Sequence, residues 1–67
     1  MYTFVKDALT KSGELMVQMA DGQMFELHTQ NTEFEDDPER IVINGGQNKY
    51  WLDGNEVLYF WIHRRAM

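Results

Sequence analysis

Glu14-Leu15-Met16-Val17-Gln18-Met19, then Ala20-Asp21-Gly22, then Gln23-Met24-Phe25-Glu26-Leu27-His28-Thr29: this stretch decides the fold. Two short runs flank a three-residue loop, the loop length that places a type I turn on its first two residues and a left-handed residue third, where glycine costs least. With Gly22 in that place the register follows. Val17 opposes Phe25 and Leu15 opposes Leu27 on one face, while Met16 opposes Glu26, Glu14 opposes His28 and Gln18 opposes Met24 on the other. One face is apolar and the other mostly polar, as expected of a hairpin buried on one side. A two-residue loop at Asp21-Gly22 would set Val17 against Glu26 and mix the faces, so the longer loop is preferred.

Downstream, Gln30 to Glu39 shows no period and carries a run of acid, Glu33, Glu35, Asp36, Asp37 and Glu39, interrupted by Phe34 and Pro38. Proline and like-charge repulsion predict a solvated loop. Arg40 to Asn44 reads as a strand around Ile41-Val42-Ile43, and Asn44-Gly45-Gly46 is a strong turn signal. Asn48 to Leu52 reads as the next strand, Asp53-Gly54-Asn55 as a turn, and Val57 to His63 as the last strand.

Upstream, Tyr2-Thr3-Phe4-Val5 has strand composition and Lys11-Ser12-Gly13 that of a turn. Phe4, Val5, Ala8 and Leu9 also recur at helical spacing, which gives a short amphipathic helix ended by Gly13 as the alternative. Strand followed by turn is the favoured reading. The fold class expected is therefore all-β: a single domain over residues 1–67, an antiparallel meander of five or six strands closing into a barrel or strongly twisted roll, with a short N-terminal helix as the variant.

Composition narrows the function. The chain has 67 residues with eleven acidic and six basic side chains, a formal charge of −5. That balance disfavours a protein built to neutralise many phosphates. There is no cysteine, which excludes disulfides and cysteine-based zinc sites. An apolar share of 43% with nine aromatic side chains supports a folded core, but a chain of this length buries only about 60% of its unfolded surface. The start Met-Tyr-Thr-Phe-Val-Lys-Asp lacks the pattern of a signal peptide. The longest apolar run is six residues, too short to span a membrane. Cytoplasmic location is the expectation.

That longest run, Val57-Leu58-Tyr59-Phe60-Trp61-Ile62, does not alternate. Successive side chains of a strand point to opposite faces, so both faces of this strand are apolar. Tyr50-Trp51-Leu52 has the same character. An exposed apolar patch of a few hundred Å², about the scale that marks interaction sites, would result, and Trp and Tyr are enriched at interfaces. The expectation is a non-catalytic binding module acting through protein contacts, with itself as the simplest partner, through Tyr50, Trp51, Tyr59 and Trp61. The competing explanation is that a helix at residues 3–12 covers the outer aromatic face from within.

Other candidate sites have plainer explanations. Ser12, the only serine, lies in nothing like a nucleophile turn, so no catalytic residues are assigned. Glu14, Glu26 and His28 share the polar hairpin face and could ligate a metal; an exposed Glu–His pair is the commoner meaning, and no metal or cofactor is assigned. The acidic run lacks the ligand spacing of a calcium loop. It serves as a solubilising loop or as a nucleic-acid mimic that occupies a basic groove on a partner. Gly45, Gly46 and Gly54 sit between strands, away from helix N-termini, and are turn residues.

After a possible short helix, Leu15 to Gly22 followed by Leu52-Asp53-Gly54-Asn55-Glu56-Val57-Leu58-Tyr59 resembles in outline the two-part pattern of Sm-like proteins. Those are five-stranded barrels that form rings and bind RNA. Asp53 stands where that family usually has Arg before Gly, and the family's Asp…Asn pattern after the first hairpin has no counterpart here. The resemblance implies an alternative function, single-stranded nucleic-acid binding. In that reading the aromatic side chains stack on bases, and Arg64 and Arg65, the basic cluster beside His63, contact phosphates.

Overall fold

A computed structural model describes residues 1–63. Its elements are a helix α1 (Tyr2–Ser12), strands β1 (Glu14–Met19), β2 (Met24–His28), β3 (Thr32–Glu35), β4 (Arg40–Asn44) and β5 (Lys49–Asp53), a short 3-10 turn at Gly54–Glu56, and β6 (Val57–Trp61).

The N-terminal segment is helical, which corrects the favoured strand reading. As a helix it buries Tyr2, Val5 and Leu9 on one stripe, and that tertiary gain outweighs the β composition of Tyr2 to Val5. Gly13 ends the helix with φ +85°, and its N–H donates to the Leu9 carbonyl at 2.8 Å. This is the left-handed C-cap that glycine supplies at least cost.

The hairpin has the predicted register throughout: Glu14 faces His28, Leu15 Leu27, Met16 Glu26, Val17 Phe25 and Gln18 Met24. Gly22 takes φ +93°. The Asp21 carboxylate accepts from the Gln23 backbone N–H at 3.0 Å and steadies the loop.

The strands form two antiparallel three-stranded sheets, ordered β2-β1-β6 and β3-β4-β5. One expectation is corrected by this. The chain is not a simple meander, because β6 returns to pair with β1 and not with β5. No closed barrel is found either: among the described residues each ladder stays within its own sheet. The acidic stretch is also more ordered than a loop. Thr32–Glu35 pairs with β4, so that Thr32 faces Ile43, Glu33 Val42, Phe34 Ile41 and Glu35 Arg40. Thr32 and Phe34 are half-buried while Glu33 and Glu35 are exposed, a period-two alternation hidden inside a charge run. Asp37 at φ +63° reverses the chain into β4, a conformation that Asp tolerates better than most residues.

The core lies between the sheets. Leu15, Val17 and Met19 of β1, Leu27 of β2, Val57 of β6, Ile41 and Ile43 of β4 and Leu52 of β5 pack with Tyr2, Val5 and Leu9 of the helix. Tyr2 fastens the helix to the second sheet. Its hydroxyl donates to the Glu35 carbonyl at 2.7 Å and to the Asp36 carboxylate at 3.1 Å, and its ring meets Phe34 edge-on at 5.7 Å. The ring lies against Gly54, where a Cβ would approach Tyr2 Cδ1 to 2.5 Å. Gly54 is thus required by close packing, and its N–H donates to the Glu39 carbonyl at 2.9 Å.

Candidate protein-interaction site

The last strand explains its own lack of alternation. Against β1, Trp61 faces Met16, Phe60 faces Val17 and Tyr59 faces Gln18, but Met19 faces Val57, so the register shifts and Leu58 is the extra residue of a bulge. A bulge leaves one residue unpaired and resets which face its neighbours occupy. Val57 and Phe60 therefore turn toward the core, and Tyr59 and Trp61 turn to the outer face. Leu58 is 54% exposed.

On that outer face the hairpin contributes the alternate residues of β1 and β2. Rows across the sheet read Met24, Gln18, Tyr59 and then Glu26, Met16, Trp61. Tyr59 and Trp61 stack at 5.6 Å between centroids with a 31° tilt, and the Tyr59 hydroxyl donates to Gln18 Oε1 at 2.7 Å. The phenol and indole are thereby held in place as a pair while Tyr59 stays 49% exposed and Met24 56% exposed. The helix does not cover them, because its buried stripe packs into the core on the opposite face of the same sheet. Sequence reasoning missed Met16 and Met24 because it counted that hairpin face as mostly polar; the same register that placed Glu14 and His28 there also placed these two methionines.

Tyr50 and Trp51 lie elsewhere. They belong to β5, in the other sheet, and no ladder joins them to Tyr59 and Trp61. The four aromatics expected to form one patch are thus divided between two sites. Tyr50 contacts Phe25, with ring centroids 5.8 Å apart. Trp51 points to the outer face opposite Val42, with the Lys49 ammonium 5.2 Å from its ring centroid, an arrangement in which the ring's negative face attracts the cation. Together Phe25, Tyr50 and Trp51 line a groove of about 570 Å³, rimmed by Asp21, Asp53 and Glu56.

The remaining candidates have structural partners. Arg40 Nε donates to Glu35 Oε1 at 3.0 Å, Asn44 Nδ2 donates to Glu33 Oε2 at 3.3 Å, and Asp36 accepts from Tyr2; Asp37 and Glu39 complete the turn. Three of the five acids of the run thus support the fold. The expected Glu14–His28 pair is present, with His28 Nδ1 3.5 Å from Glu14 and Nε2 2.9 Å from Glu26. The two carboxylates approach opposite ring nitrogens, and among the described residues no group of three or more such side chains is placed to hold a metal ion. Arg64 and Arg65 lie outside the described residues. Among the described residues no helix is long and apolar enough to cross a membrane.

No family model matches the chain, and neither curated proteins nor solved structures provide a match.

Proposed function

We propose that this protein is a non-catalytic binding module that associates with itself through the outer face of the β2-β1-β6 sheet. The observation that carries this reading is the Tyr59–Trp61 ring pair, Tyr59 exposed and Trp61 half-buried, beside half-buried Met16 and exposed Met24 and left uncovered by the helix. Stacked aromatics on a strand bring a large area at low rotamer cost, because the pair is already ordered before it meets a partner. The strand that bears them supports the reading a second way. Among the described residues β6 pairs only with β1, so its other edge offers backbone donors and acceptors to a second chain. Two of the other three edges differ, and on β5 the charges, Lys49 and Asp53, stand only at the ends. Solvent-facing carboxylates interrupt β2 at Glu26 and β3 at Glu33 and Glu35, as protected edges do, whereas β6 has no charged residue from Val57 to Trp61.

Trp61→Ser tests the reading. Trp61 packs on the outer face and contributes nothing to the core, so the variant keeps its far-ultraviolet circular dichroism. The expected result is loss of assembly by a factor of ten or more, in line with the truncation of a central interface aromatic, about 2 kcal/mol. A folded variant that assembles as the parent does would refute the proposal.

A further inference from the structure

The groove beside β5 follows the open edge of that strand. Every residue of β5, Lys49 to Asp53, lines it. Successive residues of a strand face opposite sides, so a hollow lined by all of them runs along the edge and not over one face. Among the described residues β5 pairs only with β4. The direction of its backbone groups follows from the two ends of that ladder. The Gly45 N–H donates to the Asn48 carbonyl at 2.8 Å and the Gly54 N–H to the Glu39 carbonyl at 2.9 Å, so Asn48 and Gly54 turn toward β4. Alternation in an antiparallel ladder gives Tyr50 and Leu52 the same direction. It turns the N–H and C=O of Lys49, Trp51 and Asp53 the other way, toward the groove.

The walls of the groove select what pairs there. Phe25 and Tyr50, with ring centroids 5.8 Å apart, and the exposed Trp51 supply aromatic surface. Among the described residues the lining carries three carboxylates against one cation, Lys49. Asp21 comes from the hairpin loop, Asp53 from the end of β5 and Glu56 from the 3-10 turn, and the Lys49 ammonium sits over the Trp51 ring. We infer that the groove takes an extended, basic segment of another protein, added as a strand to the edge of β5. The segment's backbone bonds to Lys49, Trp51 and Asp53, and its cations meet the carboxylates and the rings. A guanidinium suits both, because it pairs with a carboxylate and is attracted to a ring face. Carboxylates from three elements call for more than one cation, and on one side of an extended segment these stand two residues apart. The lysines and arginines of this chain nowhere stand two apart, so the segment belongs to a different protein and not to a second copy. None of Met16, Met24, Tyr59 and Trp61 lines the groove, so the inference does not rest on the self-association proposed above.

The test titrates the full chain with a short blocked peptide that alternates valine with arginine, and with its counterpart that has glutamate in place of arginine. At about 0.05 M salt the arginine peptide is expected to bind and to shift the Trp51 amide and indole resonances. It should also slow hydrogen exchange of the Trp51 N–H by about tenfold or more, because that group gains a partner. The glutamate peptide is expected to bind about tenfold more weakly or worse. The same loss is expected when the arginine peptide meets a chain carrying Asp53→Asn and Glu56→Gln, exposed positions outside the core, with circular dichroism confirming the fold. Methylating the arginine peptide's backbone nitrogens keeps its charge but removes the strand's donors, and it should abolish the protection of Trp51. No binding, equal binding of the two peptides, an unmoved Trp51, or indifference to methylation would overturn the inference. A Trp51 N–H already protected before peptide is added would overturn it too. Protection lost on dilution would put a second copy on the edge, and protection at every dilution would put the chain's own end there.

Discussion

Tyr2 joins three parts of the chain through one side chain: the helix, the turn after β3 and the Gly54 corner. Burial, with the Asp36 hydrogen bond and the nearby negative charges of Asp36, Glu39 and Glu35, raises its pKa from 10.0 to about 12. The sign follows from linkage. Below pH 10 the phenol is neutral in both folded and unfolded chains and its contribution is complete. As the pH rises from 10.0 to about 12 the unfolded chain ionises first and gains stability relative to the folded one. Urea unfolding is therefore expected to show the parent losing stability over that window and Tyr2→Phe losing less of it. Near neutral pH Tyr2→Phe should cost about 1 kcal/mol for the lost hydrogen bond; a parent and variant with parallel pH profiles would contradict this assignment. Gly54→Ala belongs to the same cluster. Its Cβ would meet Tyr2 Cδ1 at 2.5 Å and the Glu39 carbonyl at 3.0 Å, and the forced shift is expected to cost about 1–3 kcal/mol of unfolding free energy, read as a lower urea midpoint.

Individual elements were legible in the sequence to the degree that a local rule governed them. The β1–β2 hairpin could be read residue by residue because loop length, the Gly22 conformation and apolar alternation agreed on one register. Residues 2–12 could not, because strand composition and helical spacing competed and the decision lay in packing on β1 and in the contacts of Tyr2 with Phe34, Glu35, Asp36 and Gly54, far along the chain. The helix rewards the left-handed Gly13, and Gly13→Ala, with open space around its Cβ but φ +85°, is expected to lose about 1–2 kcal/mol through backbone strain alone. β3 escaped notice because its outward residues are glutamates, so alternation looked like a run of charge. In β6 the opposite occurred: the unbroken apolar run reads as two apolar faces of a regular strand, whereas it contains a bulge at Leu58 that only the pairing with β1 reveals. Leu58→Ser, at an exposed unpaired position, is expected to change stability by less than about 0.5 kcal/mol. Trp61→Ser should act on assembly instead, and thermal unfolding at a concentration where both proteins are monomeric separates the two effects.

For the molecule as a whole, the return of β6 to β1 decides where function can lie. Nothing local predicts that long-range pairing, and a β5–β6 hairpin would have set Tyr59 and Trp61 on one face beside one of the two β5 aromatics. The actual order separates an aromatic pair on the outer face of one sheet from an aromatic groove with an acidic rim between β5 and the β1–β2 hairpin. The aromatic pair suits association with copies of the same chain, and the net charge of −5 adds a repulsion that such contacts must overcome. The most direct measurement is the absolute mass in solution by light scattering over a concentration series, at low and at high salt. The account predicts a mass that climbs above the 8.0 kDa of one chain as concentration rises, and a return to that mass with Tyr59→Ser and Trp61→Ser combined in a chain that stays folded. A mass of one chain at every concentration, or an assembly indifferent to both substitutions, would contradict it.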